Sequence, residues 1–241
     1  MRVLIIRHGD PNYANDCLTE KGKREAKLLA DMLEKDKIDS FYSSPLGRAK
    51  ETCDFVSARF NKQAEIFPWL QEFGYPVDLP TGEKGHLIWD LLPTFREEYP
   101  MLQSADGWLN VPFIKNSDVP EKYAELKAGL DGLFEKHGYK REGSHYKVER
   151  ANRDTIALFC HFGVECVLLS HILGISPVAL THGFVALPTT VTTLYTEERR
   201  EGVAIFRCAA FGERTHLTMG GEEPSFSARF REVYDSDERR D

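Results

Sequence analysis

The 241-residue chain has no internal repeat, no low-complexity tract, no long stretch of Lys and Arg, and no apolar run long enough to span a bilayer. The last of these excludes a membrane-spanning helix. The N-terminal "MRVLII" is too short an apolar segment for a signal peptide, so a cytoplasmic protein is expected. With no basic run and a formal net charge of −7, nucleic acid is not an expected partner. The five cysteines are odd in number and contain no Cys-x-x-Cys pair, which argues against a disulfide framework and for reduced thiols.

What remains is ordinary globular composition, 41% apolar and 29% charged, in a chain long enough to bury a large core. Val3–Ile6 is a short continuous apolar run, the pattern of a strand covered on both faces. A helix is predicted from Thr19 to Lys35, with Thr19 as its cap, Leu18 as a staple, and Ala26, Leu29, Met32 and Leu33 on its apolar face. Ile38–Ser43 reads as a second strand. Ser44 and Pro45 then open an amphipathic helix marked by Leu46, Ala49, Cys53, Val56 and Phe60. Ala64–Pro68 is the third strand. Residues 73–145 are rich in Pro, Gly and aromatics, with one good helix at Glu121–Lys136, and read as a cap inserted into a single domain spanning 1–241. Strand–helix alternation resumes with "DTIALFC" and "GVECVLLSHILG", followed by two β-rich runs, "TVTTLYTE" and "VAIFRCAAF". The polar tail after Gly220 is expected to be partly loose. The order implies an α/β three-layer sandwich with a mostly parallel central sheet of about six strands.

In such sheets ligands bind beyond the carboxyl ends of the strands. Arg7, His8 and Gly9 stand at that place after the first strand. Arg48 lies in the first turn of the second helix, where a cation opposes the helix dipole unless an anion is bound there. His161 follows the strand Ile156–Phe159 and precedes Phe162 and Gly163 at a helix start. Two arginines, two histidines and free amides at helix N-termini suit a phosphate. A neutral imidazole among them is positioned to attack phosphorus and form a covalent intermediate. Gly9 lets the backbone turn sharply and approach the phosphate. A leaving alcohol also needs an acid. Glu72, at a strand exit beside Trp69 and Phe73, is the best candidate, ahead of Asp10, Asp78 and Glu83.

"RHG" after an N-terminal strand, "LTEKGKREA", "SSPLGRAKET", a Glu after the third strand and a His after the fourth together resemble the histidine phosphatase superfamily, which is phosphoglycerate mutase-like. The resemblance covers about residues 1–72 and 150–220. It implies a hydrolase in which His8 is the phosphorylated nucleophile, Arg7, Arg48 and His161 bind the phosphoryl group, Glu72 donates the proton, and neither metal nor cofactor is required. Mutases of the family commonly carry Glu after the triplet and Asn six positions after the nucleophile. This chain has Asp10 and Ala14 there, flanked by Asn12 and Asn15, and Asn15 is taken as a phosphate contact with Gly9 and Phe162. These departures favour a phosphatase acting on a small phosphorylated substrate. The alternatives are a bisphosphate-dependent phosphoglycerate mutase and a non-catalytic binder of phosphorylated ligands.

Other reactive residues read as structural. His171 shares a helix face with Val164, Val167 and Leu168 and is expected in the core, and His182 and His216 are also expected to be structural. His86, His137 and His145 are expected at the surface. Cys160 and Cys166 read as small buried hydrophobes, since a cysteine phosphatase places His before Cys and Arg about five residues on. Trp89, Phe95, Tyr99, Trp108 and Phe113 suit either a small core of the insert, the favoured reading, or an apolar substrate mouth.

Overall fold

The computed structural model describes residues 1–227 and 229–238. In chain order its elements begin with β1 (Arg2–Arg7), the short strands β2 (Pro11–Asn12) and β3 (Cys17–Leu18), α1 (Glu20–Leu33), β4 (Ser40–Ser43), α2 (Gly47–Ser57) and β5 (Glu65–Ile66). The middle of the chain contributes α3 (Phe95–Glu98), α4 (Pro112–Lys115), α5 (Val119–Lys136), β6 (Tyr139–Glu142) and β7 (His145–Val148). The chain continues through β8 (Thr155–Cys160), α6 (Phe162–Leu173), α7 (Pro177–Gly183), β9 (Val191–Arg200), β10 (Val203–Glu213) and α8 (Thr215–Gly220).

The apolar run of β1 is central because both its faces are covered. It pairs in parallel with β8, Val3 opposite Ile156 and Ile6 opposite Phe159. Side chains alternate across a strand. Val3, Ile5, Ile156 and Leu158 therefore enter one core with Leu126, Leu130 and Leu133 of α5 and Val164, Val167 and Leu168 of α6. Leu4, Ile6, Ala157 and Phe159 enter a second core with Leu29 and Leu33 of α1 and Cys53 and Val56 of α2. Helices on both faces make the three-layer sandwich.

Among the described residues the sheet has eight strands in the order β5-β4-β8-β1-β9-β10-β7-β6. It exceeds the expected six because the end of the segment read as a cap becomes sheet edge: the β6–β7 hairpin adds to β10. The parallel half, β5-β4-β8-β1, carries the site, whereas β9, β10, β7 and β6 pair antiparallel. A short turn separates β9 from β10, and so short a link joins only antiparallel neighbours. Residues 73–118 hold only short helices, and α5 is one of the helices flanking the sheet. Phe95, Trp108 and Phe113 are core residues, but of the core under the sheet face and not of a separate core of the insert, and Tyr99 and Trp89 are partly buried against it.

Three further local expectations are corrected. Pro45 does not open α2, whose N-cap is Leu46, because the Ser44 hydroxyl is drawn to His161. His137 is buried, not at the surface, because its Nε2 meets the Tyr42 hydroxyl at 2.8 Å. The polar tail is anchored over its described residues: Glu222 bridges Lys21 (3.2 Å) and Arg24 (2.8 Å) of α1, and Ser225 bonds Asp10.

Thr19 caps α1 as expected, its side chain accepting from the Gly22 N–H at 3.0 Å. Gly22 is where the chain passes closest to the strand-one loop. A Cβ there would lie 2.3 Å from the Asp10 carbonyl oxygen, and one on Gly9 would lie 2.8 Å from the Gly22 oxygen. Alanine is the better helix former by about 1 kcal/mol, yet Gly22→Ala is expected to destabilise the fold by ~1–3 kcal/mol through this overpacking. Urea denaturation of the two proteins checks the sign.

Candidate active site

The parallel strands deliver four side chains to one edge of the sheet. Arg7 ends β1 and His8 follows it, His161 follows β8, and Ser44 follows β4. The His8 amide donates to the Cys160 carbonyl at 3.0 Å, and the His8 carbonyl accepts from Thr189 at 3.1 Å. The backbone on both sides of the nucleophile candidate is thereby fixed. The rings of His8 and His161 stand 5.0 Å apart, and the residues are 1% and 0% exposed.

His8 Nδ1 lies 2.7 Å from the Gly9 carbonyl oxygen. A carbonyl only accepts, so Nδ1 carries the proton and Nε2 keeps its lone pair. Burial, reinforced by Arg7 and His161, holds the His8 pKa well below the usual imidazole value, so the ring is neutral. His161 Nε2 lies 2.8 Å from Ser44 Oγ, which already accepts from the Leu46 N–H at 3.2 Å. A serine hydroxyl both donates and accepts; assigned as the donor to Nε2, it places the ring proton on Nδ1. That atom is buried and has no acceptor among the described residues. Arg7 Nε and Arg48 Nε are in the same condition. Arg7 Nη1 is held by the carbonyls of Ala186 (2.7 Å) and Ser227 (2.8 Å), and Arg48 Nη1 by Asp16 at 2.6 Å. Three oriented, buried donors without acceptors match an anion with several oxygens.

The helix N-termini serve differently from what the sequence suggests. The conflict between Arg48 and the α2 dipole is met from within. Asp16 accepts from the Gly47 N–H (2.6 Å) and from Arg48. It does so from a left-handed backbone, φ 46°. Burial acts to raise its pKa, but these hydrogen bonds prevail and lower it. At α6 the amides of Val164 (3.0 Å) and Gly163 (3.4 Å) donate to Glu72. A Cβ on Gly163 would lie 2.6 Å from Glu72 Oε1, so glycine is what admits the carboxylate. Burial raises the Glu72 pKa against the opposing pull of these amides and Arg7.

Arg7, Tyr13, Glu72, Trp89 and Phe162 line one end of a cavity of about 1040 Å³. Arg7, His8, His161, Arg48 and Glu72 are brought together. Phe162 contributes its ring, 6.0 Å from the Arg7 guanidinium carbon. Gly9 serves close packing and gives its N–H to Thr52 (3.0 Å), not to the site. Asn15 is exposed, with its amide on Asn12, and lies away from the site because the turn carries Asp16 inward instead. Asp10 bonds Thr19 and Ser225, while Asp78 and Glu83 stay exposed in the insert. His182 is held by the Leu91 carbonyl at Nε2 and the Thr181 hydroxyl at Nδ1, and His216 bonds Thr189. Sequence reasoning missed Ser44, Asp16, Tyr13 and the tail residues on the cavity wall, and Trp89 lines the cavity as the less favoured of its two readings has it. Only Ser44 had a local signal, its place at a strand exit.

It also missed Glu165, one turn beyond His161 and 1% exposed. Burial raises its pKa to about 8 despite Arg7 nearby, so it is protonated at neutral pH.

The model of the histidine phosphatase superfamily (branch 1) matches residues 3–208. A 2,3-bisphosphoglycerate-dependent phosphoglycerate mutase of Thermoplasma acidophilum is 36% identical over 82 residues, 30% of this chain and 41% of that protein. Phosphoserine phosphatase 1 of Hydrogenobacter thermophilus is 24% identical over 156 residues, 57% of this chain and 66% of that one. The match thus spans less than two thirds of either relative. In fold the chain is similar to phosphoserine phosphatase of Entamoeba histolytica, solved with 3-phosphoglyceric acid. The TM-score is 0.59 at 20% identity, covering 90% of this chain and 98% of that one.

The buried Glu165 gives a stability prediction. Its pKa is higher folded than unfolded, so the unfolded chain loses the proton first and stability falls from about pH 4.5 to about 8. Glu165→Gln removes this loss. The stability gain of Glu165→Gln over wild type is expected to grow by several kcal/mol, on the order of 1.4 per pH unit, between pH 5 and pH 8. Urea midpoints at the two pH values read it, since the buried Glu25 contributes equally to both proteins.

Proposed function

The chain belongs to the histidine phosphatase superfamily, and we propose that it hydrolyses a phosphomonoester through a phosphohistidine on His8. The observation that carries this reading is the fixed tautomer of His8, with Nε2 unprotonated beside three buried donors that lack an acceptor among the described residues. The phosphoryl oxygens take hydrogen bonds from Arg7, Arg48 and His161, which stabilise charge on the group in transfer. His8 Nε2 attacks phosphorus in line as the bond to the ester oxygen breaks. Glu72, whose pKa burial raises, gives its proton to that oxygen and the alcohol leaves. Water then attacks the phosphohistidine, Glu72 takes the water's proton, the P–N bond breaks, and inorganic phosphate is released. Nδ1 of His8 keeps its proton and its bond to Gly9 throughout. The two guanidiniums supply the positive charge, so turnover is expected in excess chelator.

The match to a phosphoglycerate mutase keeps a second reading open, in which the phosphoryl group returns to a bound acid and not to water. A stable phosphoenzyme with little free phosphate favours it. Asp10 and Ala14, which replace the residues common in mutases, favour hydrolysis.

Phosphate release from p-nitrophenyl phosphate with chelator present tests the proposal. His8→Ala is expected to abolish turnover, and turnover surviving in that variant overturns His8 as nucleophile. Glu72→Gln is expected to slow an alkyl phosphate by ~10²–10⁴-fold and the nitrophenyl ester far less, since nitrophenolate leaves without a proton. The pH profile has a worked-out sign. Activity needs neutral His8, whose pKa is depressed, and protonated Glu72, whose pKa is raised. The acid limb therefore lies below 6.5 and the alkaline limb above 4.5, and the alkaline limb disappears in Glu72→Gln.

A further inference from the structure

Resting on the phosphomonoesterase reading, we propose that the natural substrate carries a bulky apolar leaving group, an aromatic or long alkyl alcohol, seated in the cavity that opens from Arg7 and Glu72. The cavity encloses about 1040 Å³. A three-carbon phosphate ester leaves most of that space unfilled, whereas ligand pockets are shaped to bury most of what they hold.

Its walls come from three separate parts of the chain, and each turns large apolar side chains toward it. The insert supplies Trp89 and Leu92, the segment after α7 supplies Phe184 and Val185, and the tail supplies Phe230 and Tyr234. Most of them are solvent-exposed: Leu92 is 65% exposed, Phe184 48% and Phe230 74%. Soluble proteins seldom gather exposed apolar side chains around one cavity unless a ligand covers them. Of the groups in the reaction, Arg7 and Glu72 line this cavity, and Glu72 is the one that protonates the leaving oxygen, so what lies along the other walls is the alcohol side of the ester.

The charges on the same walls oppose an acidic leaving group. Arg229 and Arg231 are each paired with a carboxylate, Glu232 at 2.8 Å and Asp237 at 2.7 Å. His182 is engaged within the fold: Nε2 lies 2.8 Å from the Leu91 carbonyl, and Nδ1 lies 3.2 Å from the Thr181 hydroxyl. Asp90 adds a negative charge to the lining. The carboxylate of a phosphoglycerate or a phosphoserine meets paired cations and apolar surface.

The test compares 2-phenylethyl phosphate, ethyl phosphate and phosphoserine. The first two release alkyl alcohols of similar acidity, so the chemical step is matched and only the side group differs. Wild-type kcat/KM for the phenylethyl ester is expected to exceed that for the ethyl ester by roughly 30-fold, mainly through KM, as burial of an aromatic ring implies. In Leu92→Ser and Phe184→Ser, both changes at exposed positions that the fold tolerates, this ratio is expected to fall several-fold. A ratio near one, or a preference for phosphoserine, overturns the proposal and leaves the phosphatase reading intact. A dimer in sedimentation that Phe184→Ser disperses without moving the ratio assigns the apolar wall to a second copy and also overturns it. No release from any of the three esters or from p-nitrophenyl phosphate overturns the phosphatase reading, and this proposal with it.

Discussion

The interaction on which the rest depends is the burial of positive charge and hydrogen-bond donors at the carboxyl edge of a parallel sheet. Arg7 and Arg48 are only 3% and 9% exposed, and both imidazoles are closed off from water. Charge taken out of water is costly unless it is paired, and each guanidinium is held at one nitrogen while its Nε stays unmet among the described residues. Such a site is organised in advance for a group of concentrated negative charge. The same burial that lowers the His8 pKa raises that of Glu72, so one desolvated environment suits a nucleophile and an acid together.

Carboxylates do the positioning around this centre. Asp16 takes the N-terminal amide of α2 and one arm of Arg48, and Glu72 takes the first amides of α6. Backbone donors that a phosphate otherwise attracts are thereby committed, and recognition falls to side chains of fixed direction. Phe162 and Gly163 keep the α6 entrance tight: the ring walls the cavity, and the missing Cβ makes room for Glu72. The insert and the tail enclose the site without adding to its chemistry. The Ser227 carbonyl on Arg7 and Ser225 on Asp10 tie the tail to the first loop.

Much of this is legible in the order of the amino acids. The apolar runs of β1 and β8 name central strands because a continuous apolar run lets an extended segment bury both of its faces. The 3- and 4-residue spacings name α1 and α2 because only a helix puts those residues on one side. Arg7, His8, Arg48 and His161 stand at strand exits or helix starts, and a parallel sheet brings such positions to one edge; Glu72 reaches the same edge from the loop six residues beyond β5. Asn15 departs from its expected place because a turn of a few residues decides which side chain faces inward, and here Asp16 does. His137 departs from its own because its burial depends on Tyr42, far away in sequence.

By itself the sequence determined the layering, the parallel half of the sheet and the five polar side chains at its edge. Each follows from local periodicity and from the rule that consecutive parallel strands end on the same side. Only the tertiary structure decided which donors remain unpaired, which carboxylate meets which helix, that Glu165 is buried as an acid, and that insert, α7 loop and tail share one apolar cavity. These depend on contacts between residues that are tens to hundreds of positions apart, where no spacing in the chain reports distance in space.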